Sequence, residues 1–132
     1  AAAAALAAVP TAAAKAEAWS AVVVQGGLAN AVQASTIAGF GRVHDRALLE
    51  PYVEPYFAAI ERVWAERTNE IAQGIVLGLY PTLLTGGPID VLGRTDDWLR
   101  DHPDAPPALR RLVVESRDGV RRALAAQRRD RR

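Results

Sequence analysis

The clearest pattern of hydrophobic positions in this chain lies between residues 52 and 64. Apolar side chains recur there at intervals of three and four residues, which places them along one side of an α-helix. They are Tyr52, Val53, Tyr56, Phe57, Ile60, Val63 and Trp64. Pro55 suits the first position of this helix, because the N–H that proline lacks would have no intrahelical partner there. We expect Pro51 to separate it from a short helix at residues 45–50 that Asp45 caps.

A second helical pattern runs from Thr68 to Tyr80 and is apolar on nearly every side. Its first residue is the predicted N-cap, Glu70 stands where a negative charge favours the helix dipole, and Pro81 ends the helix. A helix that is apolar all round packs between neighbours. Gly74 and Gly78 predict the close approach of another helix. A membrane dimer seam is the weaker interpretation, because no apolar run approaches the roughly 20 residues that span a bilayer.

Four further helices are predicted from the same spacing and from residues that begin or end helices. They run from Ala12 to about Val24 with Thr11 as the cap, from about Ala29 to Phe40, from about Ile89 to Asp101 with Asp90 near the N-cap, and along the apolar stripe Leu109, Leu112, Val113, Val120 and Leu124. No alternating, strand-like run competes with them. We expect Trp19, Trp64 and Trp98 to be core anchors.

These elements predict an all-α fold. Helices joined by short connectors favour antiparallel neighbours, so the economical arrangement is a stack of antiparallel helical hairpins. Such a stack curves like a HEAT or armadillo array into a right-handed superhelix, here as part of a larger helical domain. The spacing of the three tryptophans is irregular, so the repeat is degenerate. The ends of a stack expose apolar surface, and we expect the isolated chain to have reduced stability.

Composition narrows the functional class. At 132 residues, 50% of them hydrophobic, the chain can bury a core as a single all-α domain or as a piece of one. It contains no cysteine, which excludes a disulfide scaffold and suits a reducing cytoplasm. It also contains no methionine, so we expect it to be a piece of a longer protein.

Positive charge is concentrated at the C-terminal end, where residues 110–132 hold nine arginines against three acidic residues. A basic helix can bind nucleic acid through its phosphates. However, Glu115 and Asp118 lie three or four positions from arginines, as on an ordinary solvated helix face, and no aromatic residue is interleaved for base stacking. We therefore predict a basic tail or an interdomain surface, without a nucleic-acid partner.

No set of residues suited to catalysis is apparent in the sequence. The two histidines, His44 and His102, lie far apart in connectors and outside any His-Glu-x-x-His motif, so neither is a predicted metal ligand. A Gly-x-Ser-x-Gly elbow and a phosphate-binding glycine loop are also missing. An independent enzyme is therefore the weakest interpretation.

One polar set is the best candidate for a surface that contacts substrate or another domain. It lies around the junction of the two central helices and comprises Arg67, Asn69, Glu70 and Gln73. The competing interpretation is structural, in which these residues cap the helices and form a salt bridge.

Several stretches of the chain together resemble one known family. They are KAEAW at Lys15–Trp19, NAVQASTIAGF at Asn30–Phe40, YVEPYFAAIERVWAERTNEIAQGIVLGLYP at Tyr52–Pro81, DDWL at Asp96–Leu99 and PPALRRLVVESRDGVRRALAAQ at Pro106–Gln127. In this order they are similar to the C-terminal α-helical domain of the zinc-dependent aminopeptidase N family, the gluzincin metallo-aminopeptidases, especially its actinobacterial members. The alanine-dominated start, Ala1–Ala14, departs from the family pattern, in which more charged residues are expected.

The resemblance implies a noncatalytic domain of an enzyme that removes N-terminal amino acids from peptides. Members of the family use a zinc-activated water with a glutamate as general base, and their zinc-binding and amine-binding segments do not occur in this sequence. Zinc and the catalytic domain would belong to another part of the same polypeptide, while this domain would close the substrate cavity and touch the peptide substrate. The implied location is the cytoplasm, without a membrane partner. A free-standing helical-repeat scaffold that binds a protein partner stays open as the alternative.

Overall fold

The computed structural model describes residues 2–131 and contains seven α-helices in that stretch. They are α1 (Ala2–Ala8), α2 (Ala12–Trp19), α3 (Asn30–Phe40), α4 (Val53–Glu66), α5 (Asn69–Gly78), α6 (Val91–Asp101) and α7 (Pro107–Asp130). Helix α2 continues into a π-helical segment, and three short 3-10 turns complete the set; these elements are Ser20–Gln25, Arg46–Leu48, Glu50–Tyr52 and Thr82–Leu84. The described residues contain no strand, and none of their helices is long and apolar enough to cross a membrane. The predicted all-α class is confirmed.

Two helices begin with the side-chain caps that the sequence predicts. The Thr11 hydroxyl accepts a hydrogen bond from the Ala14 N–H at 3.1 Å, and the Asp90 carboxylate accepts one from the Gly93 N–H at 2.9 Å. Each contact satisfies one of the backbone donors that have no intrahelical partner at a helix start. The starts of α2 and α6 are therefore fixed by local chemistry.

The residues that precede α4 and those of its first turn differ from the prediction. Asp45 caps only a 3-10 turn, its carboxylate accepting from the Ala47 N–H at 3.0 Å. Pro51 lies in the next 3-10 turn, which leads directly into α4, so it does not separate two helices. Pro55 occupies the third position of α4 and not the first. It is tolerated there because the N–H groups of the whole first turn lack intrahelical acceptors.

Helix α5 is shorter than its sequence pattern. Thr68 holds the N-cap position but makes no side-chain capping bond, and the helix ends at Gly78. Beyond Gly78 the chain turns so that the Tyr80 hydroxyl lies 2.8 Å from the Thr95 hydroxyl of α6, a buried hydrogen bond. This contact joins the chain after α5 to α6, and α5 itself ends three residues before Pro81.

The sequence pattern indicates neither α1 nor the π-helical segment. Alanine has the highest helix propensity, so α1 is compatible with its composition. In the π-helical segment the Gly26 N–H donates to the Ala21 carbonyl at 3.1 Å, five residues earlier. Gly26 and Gly27 then end the segment with φ angles of 72° and 82°. Glycine adopts these angles without steric cost.

The helices are arranged as neighbouring hairpins. Helices α2 and α3, α4 and α5, and α6 and α7 pack in pairs, and α1, α3, α5 and α7 follow one another as a row of neighbours. A stack of antiparallel hairpins has this order of contacts. The HEAT-like or armadillo-like curvature and its right-handed sense stay predictions.

The apolar stripe of α4 faces the core, as its spacing predicts. Tyr56, Phe57, Ile60 and Val63 are buried, and Trp98 of α6 is fully enclosed. The Tyr56 hydroxyl donates to the Val76 carbonyl at 2.6 Å. Burial raises the pKa of Tyr56 well above its ordinary value, because the phenolate would lose its hydration. The remaining predicted core positions are buried at Trp19, Leu109, Leu112, Val113 and Val120, and partly buried at Trp64 and Leu124.

Lys15, the only lysine in the chain, is fully buried. Its Nζ lies 2.7 Å from the Ala7 carbonyl oxygen, 3.3 Å from that of Gly39 and 3.0 Å from that of Phe40. These oxygens belong to the C-terminal ends of α1 and α3, where the helix dipoles favour a cation. Burial lowers the pKa of Lys15, so desolvation opposes the charge that these contacts favour. Lys15 therefore joins three helices from a position inside α2.

Replacing Lys15 with methionine tests this junction. We expect Lys15→Met to lower the free energy of unfolding by about 2–4 kcal/mol, because three buried carbonyls lose their donor. The measurement is urea unfolding at neutral pH followed by circular dichroism. Glu17→Gln is the matched control, since it changes an exposed side chain of the same helix and should stay within about 0.5 kcal/mol. A Lys15→Met chain as stable as the unsubstituted one would contradict this account.

Candidate functional site

The polar set predicted at the junction of α4 and α5 is divided by the structure. Arg67 directly follows α4 and is half-buried. Its guanidinium donates to the Val22 carbonyl at 3.0 Å and to the Val23 carbonyl at 2.8 Å. Both acceptors belong to the π-helical segment, whose last carbonyls have no further turn of helix to pair with. The Arg67 side chain is therefore occupied in joining α4 to that segment.

Gly26 makes room for the Arg67 guanidinium. A Cβ atom at this position would lie 2.8 Å from the Arg67 Cζ, so the guanidinium would have to shift. The structural interpretation predicts a helix cap and a salt bridge. Arg67 does cap a helix end, but none of the ion pairs among residues 2–131 includes Arg67. A contact of Arg67 with substrate or another domain stays a prediction.

The other three residues of the set lie on the first two turns of α5. Asn69 and Glu70 are exposed, and Gln73 is half-buried. Glu70 lines a groove between α3 and α5, whereas Arg67 faces the π-helical segment. The two charged members of the set therefore face different neighbours. Their predicted role at a substrate-cavity or interdomain surface is not decided by these positions.

The groove between α3 and α5 has a volume of about 370 Å³ and is mostly apolar. Its lining comprises Asn30, Gln33, Ala34, Ile37, Ala38, Glu70, Ile71 and Gly74. Gln33 is buried and its side-chain Nε2 donates to the Ile71 carbonyl at 3.2 Å, which ties the two helices together. Sequence reasoning does not single out Asn30 or Gln33. The available signal is that α3 contains no charged residue, although one side of it is exposed.

Two glycines bring α5 close to α3. A Cβ atom at Gly78 would lie 2.7 Å from Cγ2 of Ile37, and one at Gly74 would lie 3.4 Å from Nε2 of Gln33. Gly78 therefore permits a helix approach that a larger residue would prevent. The predicted packing role is confirmed at Gly78, whereas a Cβ at Gly74 would be at about ordinary contact distance.

A second, smaller cavity lies at the other end of the same two helices. It measures about 150 Å³, and its lining includes Phe40, Gly41 and Tyr52. Leu77 and Leu83 also line it and are 49% and 42% exposed, respectively. Large apolar side chains therefore reach solvent at the edge of this cavity.

The described residues show no constellation for catalysis. Within residues 2–131, no three His, Cys, Asp or Glu side chains come together in a way that could hold a metal ion. His44 is exposed in a connector. His102 also lies in a connector, but its ring stacks on Trp98 with the centroids 4.8 Å apart. Its Nδ1 lies 2.8 Å from the Trp98 carbonyl oxygen, which can only accept, so this nitrogen carries the hydrogen.

Four of the seven arginines of α7 contact neighbouring groups. Arg117 and Arg121 contact the two carboxylate oxygens of Asp96 at 3.1 Å and 3.4 Å, and Arg111 lies 3.8 Å from Glu115. Arg110 donates to two backbone carbonyls at the end of α6. This pairing is typical of a solvated helix face, which is the interpretation that the sequence favours. The absence of a nucleic-acid partner stays a prediction.

The sequence matches a known family model along most of its length. Residues 1–122 match the model of the ERAP1-like C-terminal domain. The chain belongs to this family. This membership confirms the predicted resemblance to the C-terminal domain of the aminopeptidase N family.

Within this family the chain is similar to a protein named aminopeptidase N from Streptomyces lividans. The two sequences are 54% identical over 127 residues, a stretch that covers 96% of this chain and 14% of that protein. The chain therefore corresponds to a small part of that protein, and most of the relative lies outside the matched stretch.

The division of the polar set can be tested by comparing Arg67→Ala with Glu70→Ala. We expect Arg67→Ala to lower the free energy of unfolding by about 1–3 kcal/mol, because two part-buried carbonyls lose their donor. Glu70 is exposed, so Glu70→Ala should stay within about 0.5 kcal/mol. Urea unfolding of the two variants measures both values. Equal losses of stability in the two variants would contradict the conclusion that Arg67 holds two elements together and Glu70 does not.

Proposed function

We propose that this chain is the noncatalytic C-terminal helical domain of a zinc aminopeptidase, and that it closes the cavity in which the enzyme removes N-terminal amino acids from peptides. The observation that carries the proposal is the match of residues 1–122 to the ERAP1-like C-terminal domain. The identity of 54% with 14% of a protein named aminopeptidase N supports the same assignment. In this proposal the chain's partners are the catalytic domain of the same polypeptide and the peptide substrate.

Zinc is assigned to another part of the polypeptide. The described residues do not fit a zinc site, because they bring no group of three potential ligands together. Two of their buried polar side chains are engaged elsewhere, because Lys15 binds carbonyls and Tyr80 pairs with Thr95. The contribution of this chain would be mechanical and steric. A wall of packed helices excludes water and large folded substrates from an enclosed reaction space.

The order of the helices supports a wall of this kind. Helices α1, α3, α5 and α7 form a row of neighbours, which is the contact pattern from which a curved HEAT-like stack is built. In the proposal this row continues into further helices of a larger domain. A free-standing scaffold would have the same row of helices, and activity measurements separate the two functions. The cytoplasmic location stays a prediction.

Removing this chain from its full-length polypeptide tests the proposal. We expect peptide hydrolysis, measured as kcat/KM, to fall by about tenfold or more, because the reaction space loses its wall. Adding the separate chain back should restore much of the loss. A shorter truncation that removes only residues 123–132, which lie outside the family match, is the matched control and should retain activity.

The zinc content of the truncated enzyme shows whether its catalytic part is still folded. Complete activity without this chain would contradict the proposed role in the cavity. Such a result, together with capture of a separate protein partner by the chain, would favour the scaffold.

A further inference from the structure

Helix α5 ends differently from the helices around it. Lys15 donates to the last carbonyls of α1 and α3, Arg67 to those of the π-helical segment and Arg110 to those of α6. The end of α5 lies beside the end of α3, because Gly41 and Gly78 line the same 150 Å³ cavity. Among residues 2–131, those that line this cavity include no charged side chain. The negative end of the α5 dipole therefore meets the cavity without a cationic side chain in its lining.

Two carbonyls at the end of α5 accept no hydrogen bond from the described residues. The Leu77 carbonyl would normally accept from the N–H four residues later, but that residue is Pro81, which has none. The Gly78 carbonyl would accept from Thr82, whose N–H instead donates to the Tyr80 carbonyl at 2.7 Å. Carbonyls in the last turn of a helix point beyond its C-terminal end. Because Leu77 and Gly78 both line the cavity, it has two backbone acceptors beside it.

Aromatic rings form part of the cavity wall. Phe40 and Tyr52 both line it, and their ring centroids lie 5.2 Å apart in an edge-to-face arrangement. Trp19 packs against both rings, at 5.9 Å and 5.1 Å, and holds them in place. The hydroxyls of Tyr56 and Tyr80 form hydrogen bonds within residues 2–131, whereas that of Tyr52 does not. Burial raises the pKa of Tyr52, so its hydroxyl is uncharged at neutral pH and its oxygen can accept.

Lys15 shows which chemical group such an arrangement holds. Its ammonium group lies 2.7, 3.3 and 3.0 Å from three backbone carbonyl oxygens and 5.7 Å from the centre of the Phe40 ring. An ammonium group has three N–H donors and is attracted by an aromatic ring. The end of α5 offers the same elements, which are two free carbonyls, one hydroxyl and aromatic rings. It therefore suits a second ammonium group, whereas a carboxylate would meet the negative end of the helix dipole.

The volume of the cavity limits what the ammonium group can carry. An apolar cavity of about 150 Å³ accepts a molecule of the size of benzene. Leu49, Leu83 and Leu84 add apolar surface to the lining, and Leu83 is 42% exposed. The neighbouring connector, residues 42–50, holds two arginines and two acidic residues, so it does not set the sign of the charge. A short aliphatic chain with a cationic head matches this size, wall and charge.

We propose that this cavity binds a small primary alkylammonium ion of about the size of butylammonium. The aliphatic chain would lie against the leucines, and the N–H groups would donate to the Leu77 and Gly78 carbonyls and to the Tyr52 hydroxyl. The proposal does not depend on the proposed enzymatic function, because it uses only side chains and carbonyls of this chain.

Three ligands of matched size test the proposal on the full-length polypeptide. Butylammonium, butanol and butyrate have the same aliphatic chain and are cationic, neutral and anionic. Their Kd values are measured by ligand-detected NMR at neutral pH. Leu83→Trp fills the edge of the cavity and Tyr52→Phe removes one acceptor. Leu6→Trp is the matched control, since Leu6 is 71% exposed on α1 and does not line the cavity. Circular dichroism verifies that each variant is folded.

We expect butylammonium to bind with a Kd of about 1–10 mM, at least about tenfold more tightly than butanol or butyrate. Leu83→Trp should weaken its binding by about tenfold or more, and Tyr52→Phe by about three- to tenfold, while Leu6→Trp should leave it unchanged. Equal affinity for the three ligands would overturn the proposal. Butylammonium binding that Leu83→Trp and Tyr52→Phe both retain would belong to another part of the polypeptide and would also overturn it.

Discussion

Cationic side chains at the C-terminal ends of helices connect the parts of this fold. A helix leaves its last carbonyls without donors, and that end carries partial negative charge. Lys15 satisfies such carbonyls on α1 and α3, and Arg67 does so on the π-helical segment. Arg110 donates to the Leu99 and His102 carbonyls at 2.8 Å and 2.7 Å, at the end of α6. Each cation lies outside the helix that it caps, so one contact both completes a helix and positions its neighbour.

The use of these cations inside the fold affects which charges remain near the groove between α3 and α5. Lys15 and Arg67 donate to backbone carbonyls, and neither adds charge to the groove between α3 and α5. The hydroxyls of Tyr56 and Tyr80 are likewise used in buried hydrogen bonds. The polar groups of the chain thus hold helices in place, and the groove between α3 and α5 is left with carboxamides and one carboxylate. This arrangement is compatible with the proposed role, in which the domain encloses a reaction space.

The sequence predicts those features that depend on neighbouring residues. The apolar stripe of α4 and the caps Thr11 and Asp90 are local patterns, and all are confirmed. Lys15 and Arg67 could not be assigned this way, because their acceptors lie as far as 27 and 45 residues away in sequence. For the candidate surface, the sequence groups Glu70 with Arg67, but the fold places Glu70 beside a groove and directs Arg67 to the π-helical segment. Asn30 and Gln33 were missed because uncharged polar residues on a helix carry no distinctive spacing.

The central claim is that this chain is a noncatalytic domain within a zinc aminopeptidase. The most direct measurement is made on the protein purified from its source, and it combines intact mass, zinc content and hydrolysis of an alanyl or leucyl chromogenic amide. The account predicts a polypeptide much larger than the 14.1 kDa of this chain, with about one zinc per molecule and cleavage of the amide. A protein of 14.1 kDa without zinc or activity would contradict the account.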